Sequence, residues 1–125
     1  MALYPSTPPD AASVENFVYR QFFSFVWRFL KSNNSVVAVS ADYTVPTSVF
    51  FVKVDASGGA RAISLPDATG IEGKQIIVKK IDSSGNAVTV TPYSTQTIDG
   101  SASKNTATQW GTIKVYSDGY NWMTF

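Results

Sequence analysis

The side chains of this sequence that could perform chemistry are almost all carboxylates and hydroxyls. The chain contains neither histidine nor cysteine, which removes the usual general base, the usual metal ligand and any thiolate. Its serines lack both a histidine partner and the Ser-x-x-Lys spacing that would activate a hydroxyl as a nucleophile. The sequence therefore predicts no catalytic residue, no metal site and no cofactor, and it indicates a protein that is not an enzyme.

The aspartates fall mostly in or beside predicted turns. An aspartate there stabilises the turn by accepting hydrogen bonds from nearby backbone amides. A glycosidase would need two carboxylates about 5–10 Å apart on facing elements, and no loop shows the ligand spacing of an EF-hand calcium site. We therefore assign turn-stabilising roles, rather than catalytic or calcium-binding ones, to these positions: Asp10, Asp42, Asp55, Asp67, Asp82, Asp99 and Asp118.

The overall charge gives no case for nucleic-acid binding. Lysine and arginine number 10 against 9 aspartates and glutamates, and a basic patch is the least that a nucleic-acid site needs. The most basic local run, Lys79-Lys80, alternates with apolar residues, and we interpret it as one solvated lysine and one at a strand edge. The first ten residues have no basic region followed by an apolar core, so no signal peptide is predicted.

The N-terminal part, residues 1–35, is predicted to contain a proline-rich arm and one amphipathic, aromatic helix over about 11–31. Its polar face, which includes Arg20 and Arg28, is narrow. The apolar surface is wider than the stripe of about 100° that a helix on an ordinary monomer buries. This segment is therefore predicted to pack against a partner protein or against sister chains through a set of large apolar residues: Phe17, Phe22, Phe25, Trp27, Phe29 and Leu30.

Membrane contact is the competing interpretation of the same helix. Each arginine near the centre of a bilayer costs roughly 2.5–3.5 kcal/mol on insertion scales, so we predict no membrane insertion. Contact with a lipid surface is harder to exclude, because arginine together with tryptophan and phenylalanine suits an interface.

The remainder, residues 36–125, is predicted to be a β module of short strands and tight turns. The clearest hairpin pairs 74–81 with 87–91 around Asp-Ser-Ser-Gly-Asn at 82–86. A second hairpin pairs 111–116 with 120–125, and the Asp-Gly at 118–119 favours a type I′ turn. The predicted fold is mainly β, a small antiparallel β-sandwich or jelly-roll-like module preceded by the single N-terminal helix.

Four aromatic residues near the C-terminus form a candidate binding surface. Aromatic rings could stack on sugar rings if they shared an exposed face, or they could fill the core or a contact between subunits. Both interpretations stay open for this group: Trp110, Tyr116, Tyr120 and Trp122.

An ordered series of short segments resembles a small β module found in virion appendage proteins of tailed bacteriophages, such as tail fibres, tailspikes and baseplate components. The similarity covers about residues 40–125, and no single segment is specific. The segments are Asp-Tyr-Thr-Val at 42–45, Val-Asp-Ala-Ser-Gly-Gly at 54–59, Ile-Ser-Leu-Pro-Asp-Ala at 63–68, the stretch 73–90, Gln-Thr-Ile-Asp-Gly at 96–100 and Val-Tyr-Ser-Asp-Gly-Tyr-Asn-Trp at 115–122.

The resemblance implies a non-enzymatic phage structural protein that is made in the bacterial host cytoplasm and located in the virion. The expected role is a short tail fibre or a fibre-anchoring adaptor, whose N-terminal segment docks to tail, collar or capsid proteins and whose β module forms a homotrimer. Two alternatives remain: a capsid decoration protein that acts as head cement or fibre, and a tip that binds glycans on the host surface.

Overall fold

A computed structural model of the chain describes residues 35–125, and within that part every regular element is a β-strand. No helix in the described part is long and apolar enough to cross a membrane. The helix predicted over 11–31, and with it the attachment residues from Phe17 to Leu30, lies outside the described residues. The strands are β1 (Ser35–Val39), β2 (Tyr43–Thr44), β3 (Val49–Val54), β4 (Arg61–Ser64), β5 (Gln75–Lys80), β6 (Val88–Thr91), β7 (Lys104–Thr106), β8 (Thr112–Ser117) and β9 (Trp122–Thr124).

The strands form two sheets, and the chain alternates between them. One sheet has five strands in the order β1-β3-β5-β8-β9, and the other has four in the order β2-β4-β6-β7. The first three strands of each sheet run parallel to their neighbours, whereas β7, β8 and β9 pair antiparallel. The chain therefore winds through three turns of a parallel coil before an antiparallel end.

The core lies between the inner sides of the two sheets. Because successive side chains of a strand point to opposite sides, the inner positions of β3, β5 and β8 and those of β4 and β6 belong to one buried cluster. Trp122 is its largest member, and its indole Nε1 donates a hydrogen bond to the carbonyl oxygen of Pro66 at 3.2 Å. Each buried aliphatic side chain contributes about 1.5–3 kcal/mol. The principal residues are Val52, Val54, Ile63, Leu65, Ile76, Val78, Val88, Val90, Ile98 and Val115.

The prediction of a mainly β fold is confirmed, whereas the antiparallel arrangement is wrong for the first six strands. The hairpin predicted around 82–86 does not form, because β5 belongs to the five-stranded sheet and β6 to the four-stranded one. The turn between them is a corner of the coil. Alternating burial looks the same in parallel and antiparallel strands, and a Gly-containing turn suits a corner as well as a hairpin, so neither signal could separate the two.

The last predicted hairpin is confirmed, because β8 and β9 pair antiparallel with Ser117 opposite Trp122. Its turn is not type I′, which needs positive φ at both central residues: Gly119 has a φ of 97°, but Asp118 is not among the residues with positive φ. The Asp118 side chain instead accepts hydrogen bonds from the backbone amides of Tyr120 and Asn121, at 2.9 and 2.7 Å.

Candidate interaction face

The outer side of the five-stranded sheet carries a continuous set of apolar side chains, which we call the five-strand face. Alternation along each strand turns one set of side chains into the core and leaves the other set outside. Val36, Met123 and Phe125 are exposed, with 58, 37 and 53% of their surface accessible, and the other members are half-buried. The apolar residues of the face are Val36, Phe51, Ile77, Tyr116, Met123 and Phe125.

These residues line up because of the strand register. Val36 lies opposite Phe51, and Phe51 lies opposite Ile77, so an apolar row crosses β1, β3 and β5. Ile77 in turn lies opposite Lys114 on β8. A second row, in which Tyr116 lies opposite Met123, runs beside the first.

Phe125 completes the face at its β9 end. Its backbone amide donates a hydrogen bond to the carbonyl oxygen of Lys114 at 3.1 Å. The Lys114 ammonium lies 5.4 Å from the centroid of the Phe125 ring, and the ring meets that of Tyr116 edge-on at 6.1 Å between centroids. A cation–π contact at an exposed site contributes about 0.5–1 kcal/mol, so the C-terminal residue is held on the face by several weak contacts.

Lysines border the apolar row on one side. Lys53 and Lys79 are register partners, two residues along their strands from Phe51 and Ile77. The Lys79 ammonium donates a hydrogen bond to the Thr112 hydroxyl at 3.2 Å. Both ion pairs found among residues 35–125 involve other lysines. Together with Lys114, the face therefore carries three positive charges that have no carboxylate partner in the described part of the chain.

The four aromatic residues predicted as a sugar-binding group do not share a surface. Trp122 is fully buried and has no ring face to offer, so it belongs to the core, which was one of the open alternatives. Trp110 precedes β8 and Tyr120 follows it; both are exposed, but a strand of six residues, about 20 Å, separates them. Only Tyr116 lies on the five-strand face, and stacking of one sugar on all four rings is ruled out.

Trp110 adopts a rare backbone conformation for a bulky residue, with a φ of 67°. Its amide donates to the carbonyl oxygen of Lys80 at 2.8 Å, and the amide of Gly111 donates to that of Thr108 at 2.9 Å. A Cβ at Gly111 would lie 2.0 Å from the Thr106 hydroxyl oxygen. These contacts fix the turn that carries the chain from the four-stranded sheet into the five-stranded sheet.

The interpretation of Lys80 as a strand-edge residue is wrong, because its side chain is fully buried. Its ammonium donates to the Asp82 carboxylate oxygen Oδ2 at 2.8 Å and to the backbone oxygens of Asp82 and Ser84 at 3.0 and 2.7 Å. Asp82 also accepts a hydrogen bond from the Ala56 amide at 2.7 Å and others from the amide and hydroxyl of Ser84. This buried ion pair ties the β5–β6 corner to the β3–β4 loop.

The electrostatics of the corner favour the charged form of Asp82. Burial opposes ionisation, but the hydrogen bonds from Lys80 and Ser84 outweigh it and hold the pKa of Asp82 far below its ordinary value. The Lys80 ammonium, inaccessible to solvent and surrounded by acceptors, cannot meet a substrate. The pair therefore stabilises the corner and offers no reactive group.

Two other aspartates support the assignment to turns, whereas Asp42 and Asp99 accept hydrogen bonds from distant backbone amides, those of Ala62 and Thr124. Asp55 and Asp67 each accept a hydrogen bond at 2.9 Å from the amide two residues on, that of Ser57 and of Thr69. The hydrogen bonds from these two partners lower the pKa of each carboxyl. Among residues 35–125, no three carboxylates come together as potential ligands of one metal ion.

The sequence analysis did not predict the five-strand face. Val36, Phe51 and Ile77 occupy outer positions of three separate strands, and only the parallel register brings them into one row.

Comparisons with protein-family models, with curated proteins and with solved structures find no match to this chain.

Proposed function

We propose that this chain is a non-enzymatic structural protein of a bacteriophage virion, a short tail fibre or a fibre-anchoring adaptor that functions as a homotrimer. The observation that carries the proposal is the five-strand face. Apolar side chains exposed together on one surface often mark a contact site with another protein, and three of the six apolar residues of the face are exposed. A surface of this kind fits a chain that works inside an assembly.

Two further features support the same role. The ordered segments that resemble the phage β module lie on the strands and corners of the coil, from Tyr43 to Trp122. Lys80 is the one charged residue of the described part that is fully buried, and its contacts with Asp82 and Ser84 are internal and stabilise the corner. Rigid corners and an apolar outer face suit a structural subunit better than an enzyme.

Incorporation into the virion tests the proposal directly. The double variant Val36→Glu/Met123→Glu places two carboxylates at exposed positions of the five-strand face. The matched control Thr44→Glu/Asn105→Glu adds the same charge at exposed positions on the outer side of the four-stranded sheet. We expect the first variant to be lost from purified virions and the control to be retained at the wild-type level, as measured by quantitative mass spectrometry of the particles.

The remaining parts of the proposal have separate tests. Deletion of residues 1–31 should prevent attachment to the virion, and the mass of the purified chain in solution should equal that of a trimer. Immunogold labelling of particles distinguishes a tail component from a capsid decoration protein. A chain that never occurs in virions would refute the proposed function, whatever its oligomeric state.

A further inference from the structure

The five-strand face combines an apolar row with a one-sided border of lysines, and this asymmetry specifies a partner. We propose that the face binds an amphipathic α-helix of a different protein, with acidic side chains along one border of the apolar stripe of that helix. This inference deepens the proposed function, on which it rests, by naming the chemistry of the assembly partner.

Charge is the first step of the argument. Lys53, Lys79 and Lys114 contribute three positive charges to one face of a chain whose net charge is only +1. The carboxylates of the described part serve turns and corners and form no ion pair with these lysines. Complementary potentials across an interface select the partner and fix its register, so the missing carboxylates are expected on the partner.

The dimensions of the face are the second step. The row from Val36 to Phe125 crosses five strands spaced about 4.8 Å apart, with Lys114 between Ile77 and Phe125, and is roughly 19 Å long, which matches about 13 residues of α-helix. The lysine row lies two residues along the strands, about 6.6 Å from the apolar row. A helix that covers Phe51 and Ile77 would thus present the flank of its apolar stripe to Lys53 and Lys79.

The chain itself offers no suitable occupant. Packing the five-strand faces of two copies together would add further lysines to the contact and no carboxylate. The outer side of the four-stranded sheet carries hydroxyl, amide and small side chains, so it lacks the required charge as well. The apolar stretch 17–30 contains Arg20 and Arg28 and no carboxylate. Charge complementarity therefore favours a partner of different sequence.

Two synthetic helical peptides of about 14 residues provide the probe. Both carry the same leucine stripe, and its border is formed by glutamates in one and by lysines in the other. Calorimetry with the full chain should show the glutamate peptide binding about tenfold more tightly than the lysine peptide. In the double variant Lys53→Glu/Lys79→Glu the order should reverse, which a general affinity for amphipathic helices would not produce. An unchanged urea midpoint confirms that the variant is folded.

Several results would overturn the inference. These are equal affinity for the two peptides, an order that does not reverse in the variant, or no binding of the glutamate peptide at about 1 mM. Self-association that Val36→Glu/Met123→Glu abolishes would assign the face to a second copy. Binding to phosphatidylserine–phosphatidylcholine vesicles that the lysine-to-glutamate variant loses would assign it to a lipid surface. Virion incorporation is measured independently, so the inference can fail while the proposed function stands.

Discussion

On the outer side of the five-stranded sheet, Phe51 and Ile77 lie next to each other in an apolar row. At the corresponding positions outside the four-stranded sheet, Ser64 lies opposite Thr91 and Ala62 lies opposite Thr89. Both outer sides belong to strands that pair in parallel and turn their other side chains into one core. The second surface, which we call the four-strand face, consists of Thr44, Ala62, Ser64, Thr89, Thr91 and Asn105.

The difference between the two outer sides indicates which of them the proposed assembly would cover. The core constrains only the inner position of each strand, so the outer positions are free to suit the surroundings. Threonine satisfies strand preference through its branched Cβ and presents a hydroxyl that water can solvate, so the four-strand face is stable without a partner. The apolar row forgoes about 25 cal/mol for each Å² left in water. We therefore propose that the side of the coil that carries this row is covered in the assembled protein.

The largest expected effect is a loss of folding stability, which would abolish the five-strand face and the four-strand face together. Lys80→Met leaves the Asp82 carboxylate without its ammonium partner at the corner that joins the sheets. Loss of one member of a buried pair typically costs about 3–5 kcal/mol. We expect a decrease of this size in the free energy of unfolding from urea titration, and loss of peptide binding wherever the variant is unfolded. Lys53→Met, an exposed lysine of the five-strand face, is the control and should change the free energy of unfolding by less than about 0.5 kcal/mol.

Acid should weaken the corners and turns that the aspartates stabilise. The pKa values of five aspartates lie below their ordinary value: Asp55, Asp67, Asp82, Asp99 and Asp118. On acidification, the aspartates of the unfolded chain therefore take up protons first, near the ordinary aspartate pKa of about 3.9. The stability from these groups is complete above that pH and is lost as the pH falls through it toward the folded pKa values.

The measurement is a series of urea midpoints at pH 7, 5, 4 and 3. We expect little change between the first two and a progressive decrease below pH 4. In the variant Asp82→Asn, the urea midpoint should decrease less steeply as the pH falls. A midpoint that rose on acidification in the wild-type chain would contradict the pKa directions.

Much of the fold was readable from the sequence, because the strands predicted for the two hairpins lie within two residues of the observed limits of β5, β6, β8 and β9. The parallel pairing of the strands was not predicted, although the sequence contains a signal for it. Residues 81–87, Ile-Asp-Ser-Ser-Gly-Asn-Ala, repeat 54–60, Val-Asp-Ala-Ser-Gly-Gly-Ala. The strand residues that follow the two copies, Arg61 and Val88, are register partners. Internal repetition of this kind indicates stacked turns.

The candidate face was predictable only in part. Tyr116 was singled out for its aromatic side chain, and the structure places it on the same side of β8 as Lys114. Trp122 was an equally suitable candidate for sugar binding, because the sequence of an alternating strand does not show which of its two sides faces water and which faces the core. Val36 and Phe51 gave no signal at all, since their neighbourhood depends on which strands pair.

A smaller effect tests whether the five-strand face also stabilises its own sheet. Phe125→Ala removes the edge-on contact with Tyr116 and the cation–π contact with Lys114, so we expect a loss of about 1 kcal/mol in the free energy of unfolding. Tyr120→Ala is the matched control: its ring is 76% exposed and makes no ring contact within the described residues. Equal losses in the two variants would show that the Phe125 contacts contribute nothing specific.

The smallest effect is expected on the four-strand face. Neither the Thr89 nor the Thr91 hydroxyl makes a hydrogen bond within residues 35–125, so Thr89→Val/Thr91→Val removes only solvated groups and keeps the branched Cβ. The free energy of unfolding should change by less than about 0.5 kcal/mol per site, and binding of the glutamate peptide should be unaffected, because the residues of the four-strand face include no lysine. If the double variant gained affinity for either peptide, apolarity alone would suffice to create a binding face, and the lysine border would lose its role in choosing the partner.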